Sequence, residues 1–211
     1  MRPRGAGVSA CRHGAWALHD TIAAMFFTVP TLLTWTRILA IPLIVGVFYL
    51  QWEPATANLI ATVMFVVFAW TDWLDGFLAR KLNQTSSFGA FLDPVADKFL
   101  VCASLLVLVH LQRTDVFVAL IIIGREIAIS ALREWMAKVG ASGSVAVAFV
   151  GKLKTAAQMS AIPLLLIESP VLGVDSLKLG TLLIYVAAVL TLWSMGYYMR
   201  CAWPELMKRS R

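Results

Sequence analysis

Residues 71–98 read TDWLDGFLARKLNQTSSFGAFLDPVADK. This one stretch holds Asp72, Asp75, Asp93 and Asp97, four of the 12 Asp and Glu in the chain. The sequence around it is oily: 60% of the 211 residues are hydrophobic and 14% are charged, against about 25% charged in ordinary soluble domains. An ionisable group inside an apolar span is costly and is retained for function. How these carboxylates are accommodated therefore decides how the rest of the chain is read.

Working outward, the apolar runs fall into segments near the ~20 residues that cross a bilayer as helix. They lie at roughly 31–50, 55–76, 91–112, 116–137, 146–167 and 179–199. The pattern predicts an all-α integral membrane protein with six transmembrane helices. Lys and Arg concentrate in cytoplasmic loops, and here one side receives Arg2, Arg4, Arg12, Arg80, Lys81, Lys138, Lys152, Lys154, Arg200, Lys208, Arg209 and Arg211. The other side receives Arg113 and Lys178. That asymmetry places both termini in the cytoplasm. The net charge of +6 is first a topology signal, and it also suits anionic membrane lipids at the inner leaflet. The basic residues form no continuous patch with interleaved aromatics, which argues against nucleic acid. Cys11, Cys102 and Cys201 are too scattered for a disulfide framework or a metal cluster and read as free thiols. Residues 1–24 mix Arg, Gly, His and small residues without the apolar core of a signal peptide. They read as an N-terminal extension of unknown role, ahead of a single membrane domain over 25–211.

In this topology the second segment arrives at the cytoplasmic side and the third departs from it, so the carboxylates meet at one depth. Asp72 and Asp75 are ~4.5 Å apart along a helix axis, and Asp93 and Asp97 ~6 Å. Each pair shares a helix face. Converging carboxylates in a low dielectric do not all stay ionised unless cations join them. All-oxygen ligation suits Mg²⁺ or Mn²⁺ rather than zinc, and two such ions ~3.5–4 Å apart can clamp the oxygens of an in-line phosphoryl displacement. Gly76 and Ala79 are small where the helix would approach a ligand, Arg80 offers a planar fork for phosphate, and Ser86 and Gly89 fall in the short turn before the third segment. Taken singly, each has a plainer account, since small residues line helix contacts in membranes and Arg80 can anchor a helix end.

Taken together they fit D-x-x-D-G-x-x-A-R, eight further residues, then G-x-x-x-D-x-x-x-D, on Asp72, Asp75, Gly76, Ala79, Arg80, Gly89, Asp93 and Asp97. This resembles the signature of the CDP-alcohol phosphotransferases. The resemblance implies a six-helix membrane enzyme, usually a homodimer, in which two metal ions bind a CDP-linked lipid diphosphate while an alcohol displaces CMP. The stretches VPTLLTWTRILAIPLIV (29–45), GREIAISALREWMA (124–137), SVAVAFVGKLKTAAQM (144–159) and AAVLTLWSMGYY (187–198) look like the bacterial branch that transfers a phosphatidyl group from CDP-diacylglycerol to glycerol 3-phosphate. That branch implies phospholipid synthesis at the inner membrane, with the active site facing the cytoplasm. By the same resemblance, Asp72, Asp75 and Asp93 are metal ligands, and Asp97 both touches metal and acts as general base. Arg80 holds diphosphate, Gly76 and Ala79 leave room for the nucleotide, Ser86 supplies a hydroxyl, and Thr34 and Arg37 complete the CDP-diacylglycerol pocket.

The acceptor brings its own phosphate and needs basic partners, for which Arg125, Arg133, Lys152 and Lys154 are the candidates. Arg125 lies deep in its segment, where the competing account is an internal pair with Glu126 or Glu134. Two other functions remain open at this stage. One is a CDP-alcohol transferase with inositol phosphate, serine or phosphatidylglycerol as acceptor; the other is a small cation transporter that uses the carboxylates as an ion path.

Overall fold

The computed structural model describes residues 29–82, 87–138, 149–170 and 173–209. Among the described residues six helices follow one another: α1 (Val29–Val47), α2 (Pro54–Leu82), α3 (Ser87–His110), α4 (Val116–Lys138), α5 (Phe149–Ile167) and α6 (Ser176–Arg209). Each of the six apolar segments is helical over most of its described residues, although α1 stops at Val47, short of Phe48–Leu50. Other departures lie at polar ends. Helix α2 continues past the apolar run to Leu82, α6 runs on to Arg209, and α3 begins at Ser87, so Gly89 lies within a helix rather than in a turn. Ala79, Arg80, Lys81 and Leu82 are all good helix formers, and they prolong α2 where hydropathy alone would stop it.

Local chemistry sets several helix ends. Pro54 opens α2, at a position where the missing N–H costs nothing. Asp115 caps α4, its side chain accepting from the backbone N–H of Phe117 at 2.7 Å. Asp175 caps α6 by accepting from the N–H of Lys178 at 3.2 Å. The bonds it accepts from Lys178, first the side chain and then the backbone, hold its carboxyl below the ordinary Asp range. Helix α3 closes with Gln112 in the left-handed region, φ 57°. The Arg113 N–H reaches the Leu108 carbonyl at 2.9 Å and the Gln112 N–H reaches that of Val109 at 3.0 Å, the paired closing bonds of a Schellman end. Pro94, inside α3, has no N–H for the carbonyl of Ala90, which weakens the helix ladder in the turn that precedes it.

The chain divides into two compact units. One contains the described residues up to Ile41 together with Phe68–Leu100; the other is Pro42–Val67 with Val101–Arg211. The first unit therefore carries the start of α1, the end of α2 and the start of α3, and its buried residues include Thr34, Arg37, Ala40, Leu92, Ala96 and Leu100.

In the second unit α5 and α4 both pack against α6, around Ile122, Ile129, Ala161, Ile162, Leu165, Ile184 and Ala187. A polar network crosses this unit as well. Arg113 donates to the last carbonyls of α5, at Leu165 (3.2 Å) and Leu166 (2.7 Å), to Asn58 Oδ1 (3.0 Å) and to the Glu168 carboxylate. Asn58 donates in turn to Glu168 at 3.0 Å. Burial lowers the pKa of Arg113, and Glu168 raises it in part. Glu168 sits in the left-handed region at φ 59°, held there as the acceptor of both partners.

Many large apolar side chains face outward. Leu39 and Leu43 on α1, Val63, Val67 and Trp70 on α2, Phe117, Leu120 and Ile127 on α4, and Leu182, Val189 and Trp193 on α6 are all exposed. Apolar residues all round a helix suit a lipid-facing helix rather than a water-facing one. Among the described residues two stretches, Pro54–Thr71 and Ser176–Arg200, are long and apolar enough to cross a membrane, and Thr34–Val47 is a shorter apolar helix. The ionisable residues within α3, α4 and α5 dilute the other runs.

Gly180 marks a close approach of α5 and α6, because a Cβ there would stand 2.8 Å from Leu165 Cγ, a side chain that is fully buried. Gly180→Val should lower the unfolding midpoint in detergent, as overpacking of a filled core costs about 1–3 kcal/mol. Gly46→Ala, where the added carbon meets nothing within 4 Å, should leave the midpoint level or slightly raised. Equal melting of wild type and Gly180→Val would contradict the close approach.

Candidate functional site

In the first unit, Asp72, Asp75, Gly76, Ala79 and Arg80 lie on the last turns of α2, and Gly89 and Asp93 on the first turns of α3. Their backbone is helical; their side chains, and all of Ser86, lie outside the described residues. Asp97, also on α3, is half-buried. Thr34 and Arg37 on α1 are both 0% exposed. A guanidinium this buried does not snorkel to water. The described residues among those expected to handle the diphosphate and metal belong to this unit.

The second unit holds the expected acceptor residues, and here the geometry is explicit. Arg125 and Arg133 on α4 and Lys152 and Lys154 on α5 line one cavity of about 470 Å³, together with Glu126, Thr155 and Met159. Four cations face a single carboxylate there. Glu126 uses one oxygen twice: its Oε1 accepts from Arg125 Nη1 at 3.2 Å and from Lys154 Nζ. The internal pair weighed against a binding role for Arg125 is thus present, yet it does not withdraw Arg125 from the cavity. Glu134 pairs instead with Lys138 at 2.8 Å on the exposed face of α4.

Arg125 is 7% exposed and Lys154 4%, so both charges are largely removed from water. That desolvation is tolerable only with close partners. Arg125 Nη2 donates to Ser194 Oγ at 3.2 Å, while its Nε has no hydrogen-bond partner among the described residues. Arg133 is more exposed and donates from Nη2 to the Tyr198 hydroxyl at 3.2 Å. The Tyr198 ring lies 5.9 Å from Arg125 Cζ and 5.4 Å from Arg133 Cζ. Chemically, such an arrangement takes up a compact anion carrying more than one charge, a phosphate above all.

Glu126, Ser194 and Tyr198 were not among the sequence candidates. A signal for the α6 pair was nonetheless present. Thr191, Ser194 and Tyr198 fall at i, i+3 and i+7 in an apolar helix and form one polar stripe, and all three are buried.

Comparison with known proteins agrees with this picture along most of the chain. Residues 27–193 match the family model for CDP-alcohol phosphatidyltransferase. The chain is 52% identical over 187 residues to "CDP-diacylglycerol--glycerol-3-phosphate 3-phosphatidyltransferase" of Escherichia coli (strain K12), covering 87% of this chain and 99% of that protein. It is equally similar to the protein of that name from Shigella flexneri serotype 5b (strain 8401), over the same shares of each chain. The Salmonella choleraesuis (strain SC-B67) protein of the same name is 51% identical over 185 residues. With a signature on α2 and α3 and a family match that runs through five of the helices into the sixth, the chain belongs to the CDP-alcohol phosphatidyltransferase family.

Proposed function

We propose that this protein transfers the phosphatidyl group of CDP-diacylglycerol to sn-glycerol 3-phosphate, releasing CMP and forming phosphatidylglycerophosphate. The observation that carries the reading is the basic cavity of the second unit. An acceptor that itself bears a phosphate needs such a cavity, whereas serine does not. The names of the relatives at about half identity point the same way. All six helices cross the bacterial cytoplasmic membrane as a homodimer's subunit fold, with both termini and the chemistry on the cytoplasmic side; the Lys and Arg asymmetry supports that orientation.

The reaction exchanges one phosphorus–oxygen bond for another. A hydroxyl of glycerol 3-phosphate attacks the phosphorus that carries the diacylglycerol, the bond to the CMP oxygen breaks, and CMP leaves with that electron pair. Asp97 takes the proton of the attacking hydroxyl, the role of a general base within hydrogen-bond reach. Thr34 and Arg37, with Gly76, Ala79, Arg80 and Ser86, bind the CDP-diacylglycerol head. Arg125, Arg133, Lys152 and Lys154 hold the acceptor phosphate.

The donor set on α2 and α3 fits a hard dication, being carboxylate throughout. Asp72, Asp75, Asp93 and Asp97 would hold two ions, Mg²⁺ or Mn²⁺, whose contribution when bound is to neutralise charge on the diphosphate and the departing CMP.

Release of CMP should stop in EDTA and return on adding Mg²⁺ or Mn²⁺; full turnover by metal-stripped enzyme would end the metal reading. Asp97→Asn should lower turnover by about 10²–10⁴-fold, the usual contribution of a positioned base, while CDP-diacylglycerol still binds. Near wild-type turnover at saturating metal would move the base elsewhere.

Acceptor identity is tested by initial rates with glycerol 3-phosphate, inositol phosphate, serine and phosphatidylglycerol in turn, glycerol 3-phosphate being the one used. Arg125→Gln or Arg133→Gln should raise the glycerol 3-phosphate KM about 10- to 150-fold, the equivalent of a charge-assisted bond of ~1.5–3 kcal/mol. The KM for CDP-diacylglycerol should barely move. Unchanged acceptor dependence in both variants would take the arginines out of the site.

A further inference from the structure

Helix α6 bears none of the four cations of the basic cavity, yet both of its arginines are tied to it. On α4, residues 125 and 133 stand ~12 Å apart along the helix axis at 1.5 Å per residue. Two guanidinium groups so rooted meet one phosphate only if their long stems lean toward a common point. The structure supplies that point in Tyr198. Its side chain is buried, 1% exposed, and its ring centroid lies 5.9 Å from Arg125 Cζ and 5.4 Å from Arg133 Cζ, both within the ~6 Å reach of a cation–π contact. Its hydroxyl accepts from Arg133 Nη2 at 3.2 Å.

One turn earlier, Ser194 completes the alignment. Its hydroxyl donates to the Thr191 carbonyl at 2.9 Å, which commits the proton and turns a lone pair toward Arg125 Nη2, 3.2 Å away. Arg125 is thereby gripped at Nη1 by Glu126 and at Nη2 by Ser194. Its buried Nε, which has no partner among the described residues, remains to donate to a ligand.

We propose that Tyr198, supported by Ser194, is the positioning residue that sets the spacing of the Arg125 and Arg133 guanidinium groups for the acceptor phosphate. Acceptor affinity then depends on α6 although no charge of the cavity comes from it. This inference rests on reading the basic cavity as the acceptor-phosphate site.

The test is a double-mutant cycle by CMP release, with glycerol 3-phosphate and CDP-diacylglycerol varied in turn, on wild type, Tyr198→Phe, Arg133→Gln and the double variant. Tyr198→Phe keeps the ring and deletes the hydroxyl. It should raise the glycerol 3-phosphate KM about 3- to 10-fold, as loss of one hydrogen bond does, while kcat and the CDP-diacylglycerol KM change less than about twofold. Tyr198→Leu, which also loses the aromatic face, should raise the acceptor KM further, so that Tyr, Phe and Leu rank in that order. In the Arg133→Gln background the hydroxyl has no guanidinium to hold, and Tyr198→Phe should add nothing.

A residue that merely packs the helices would behave otherwise. Its loss would weaken both substrates together and cost the same factor with or without Arg133, and either result overturns the proposal. If Arg133→Gln raises the acceptor KM and Tyr198→Phe does not, the cavity keeps its function and the positioning role falls. If neither variant changes acceptor dependence, the cavity reading falls and the proposal with it.

Discussion

The second unit depends on how one carboxylate oxygen is shared. Glu126 Oε1 accepts from both Arg125 and Lys154, and without it two buried cations would face each other in a medium of low dielectric, where like charges repel strongly. Two cations on one anion leave an uncompensated positive charge inside the cavity. Arg133 and Lys152 at the rim add to it. The excess is not waste, because a cavity neutral in itself would bind a phosphate dianion only through hydrogen bonds, in competition with water. Stability and recognition thus pull in opposite directions, and a single Glu against four cations is the compromise.

The same compromise explains why α6, which brings no charge to the cavity, matters to the polar chemistry. The two arginines on α4 are oriented by neutral groups on α6, a hydroxyl at Ser194 and a phenol at Tyr198. Neutral partners align a guanidinium without cancelling its charge. A second carboxylate in either place would align it equally well but would weaken the cavity's positive field.

Much of this was legible in the sequence, for reasons that differ by level. The helices announce themselves because lipid permits little else: each apolar run must satisfy its own backbone. Asp72, Asp75, Asp93 and Asp97 stand out because carboxylates are conspicuous against an oily background, and their register with Gly76, Ala79, Arg80 and Gly89 carries the family resemblance. Arg125, Arg133, Lys152 and Lys154 follow from the acceptor's charge, although only the fold shows them lining one cavity. Ser194 and Tyr198 stayed hidden because hydroxyls are cheap in membrane helices and common at their ends. Arg113 read as a topology charge, and nothing near it in sequence reveals that its partners lie 52 to 55 positions away. Helix ends at Leu82 and Arg209 were missed because polar turns carry no hydropathy signal.

That arginine has a bearing on how the protein is made. Arg113 draws its acceptors from Asn58, on α2, and from Leu165, Leu166 and Glu168, at the end of α5. A chain emerging from the ribosome carries Asn58 and Arg113 into the membrane long before Glu168 exists. Until α5 arrives, a guanidinium and an amide wait without their permanent acceptor. The network therefore closes late in synthesis, and its closure marks a chain whose fifth helix has packed in register. An incomplete chain leaves the arginine without the Leu165, Leu166 and Glu168 acceptors that its burial requires.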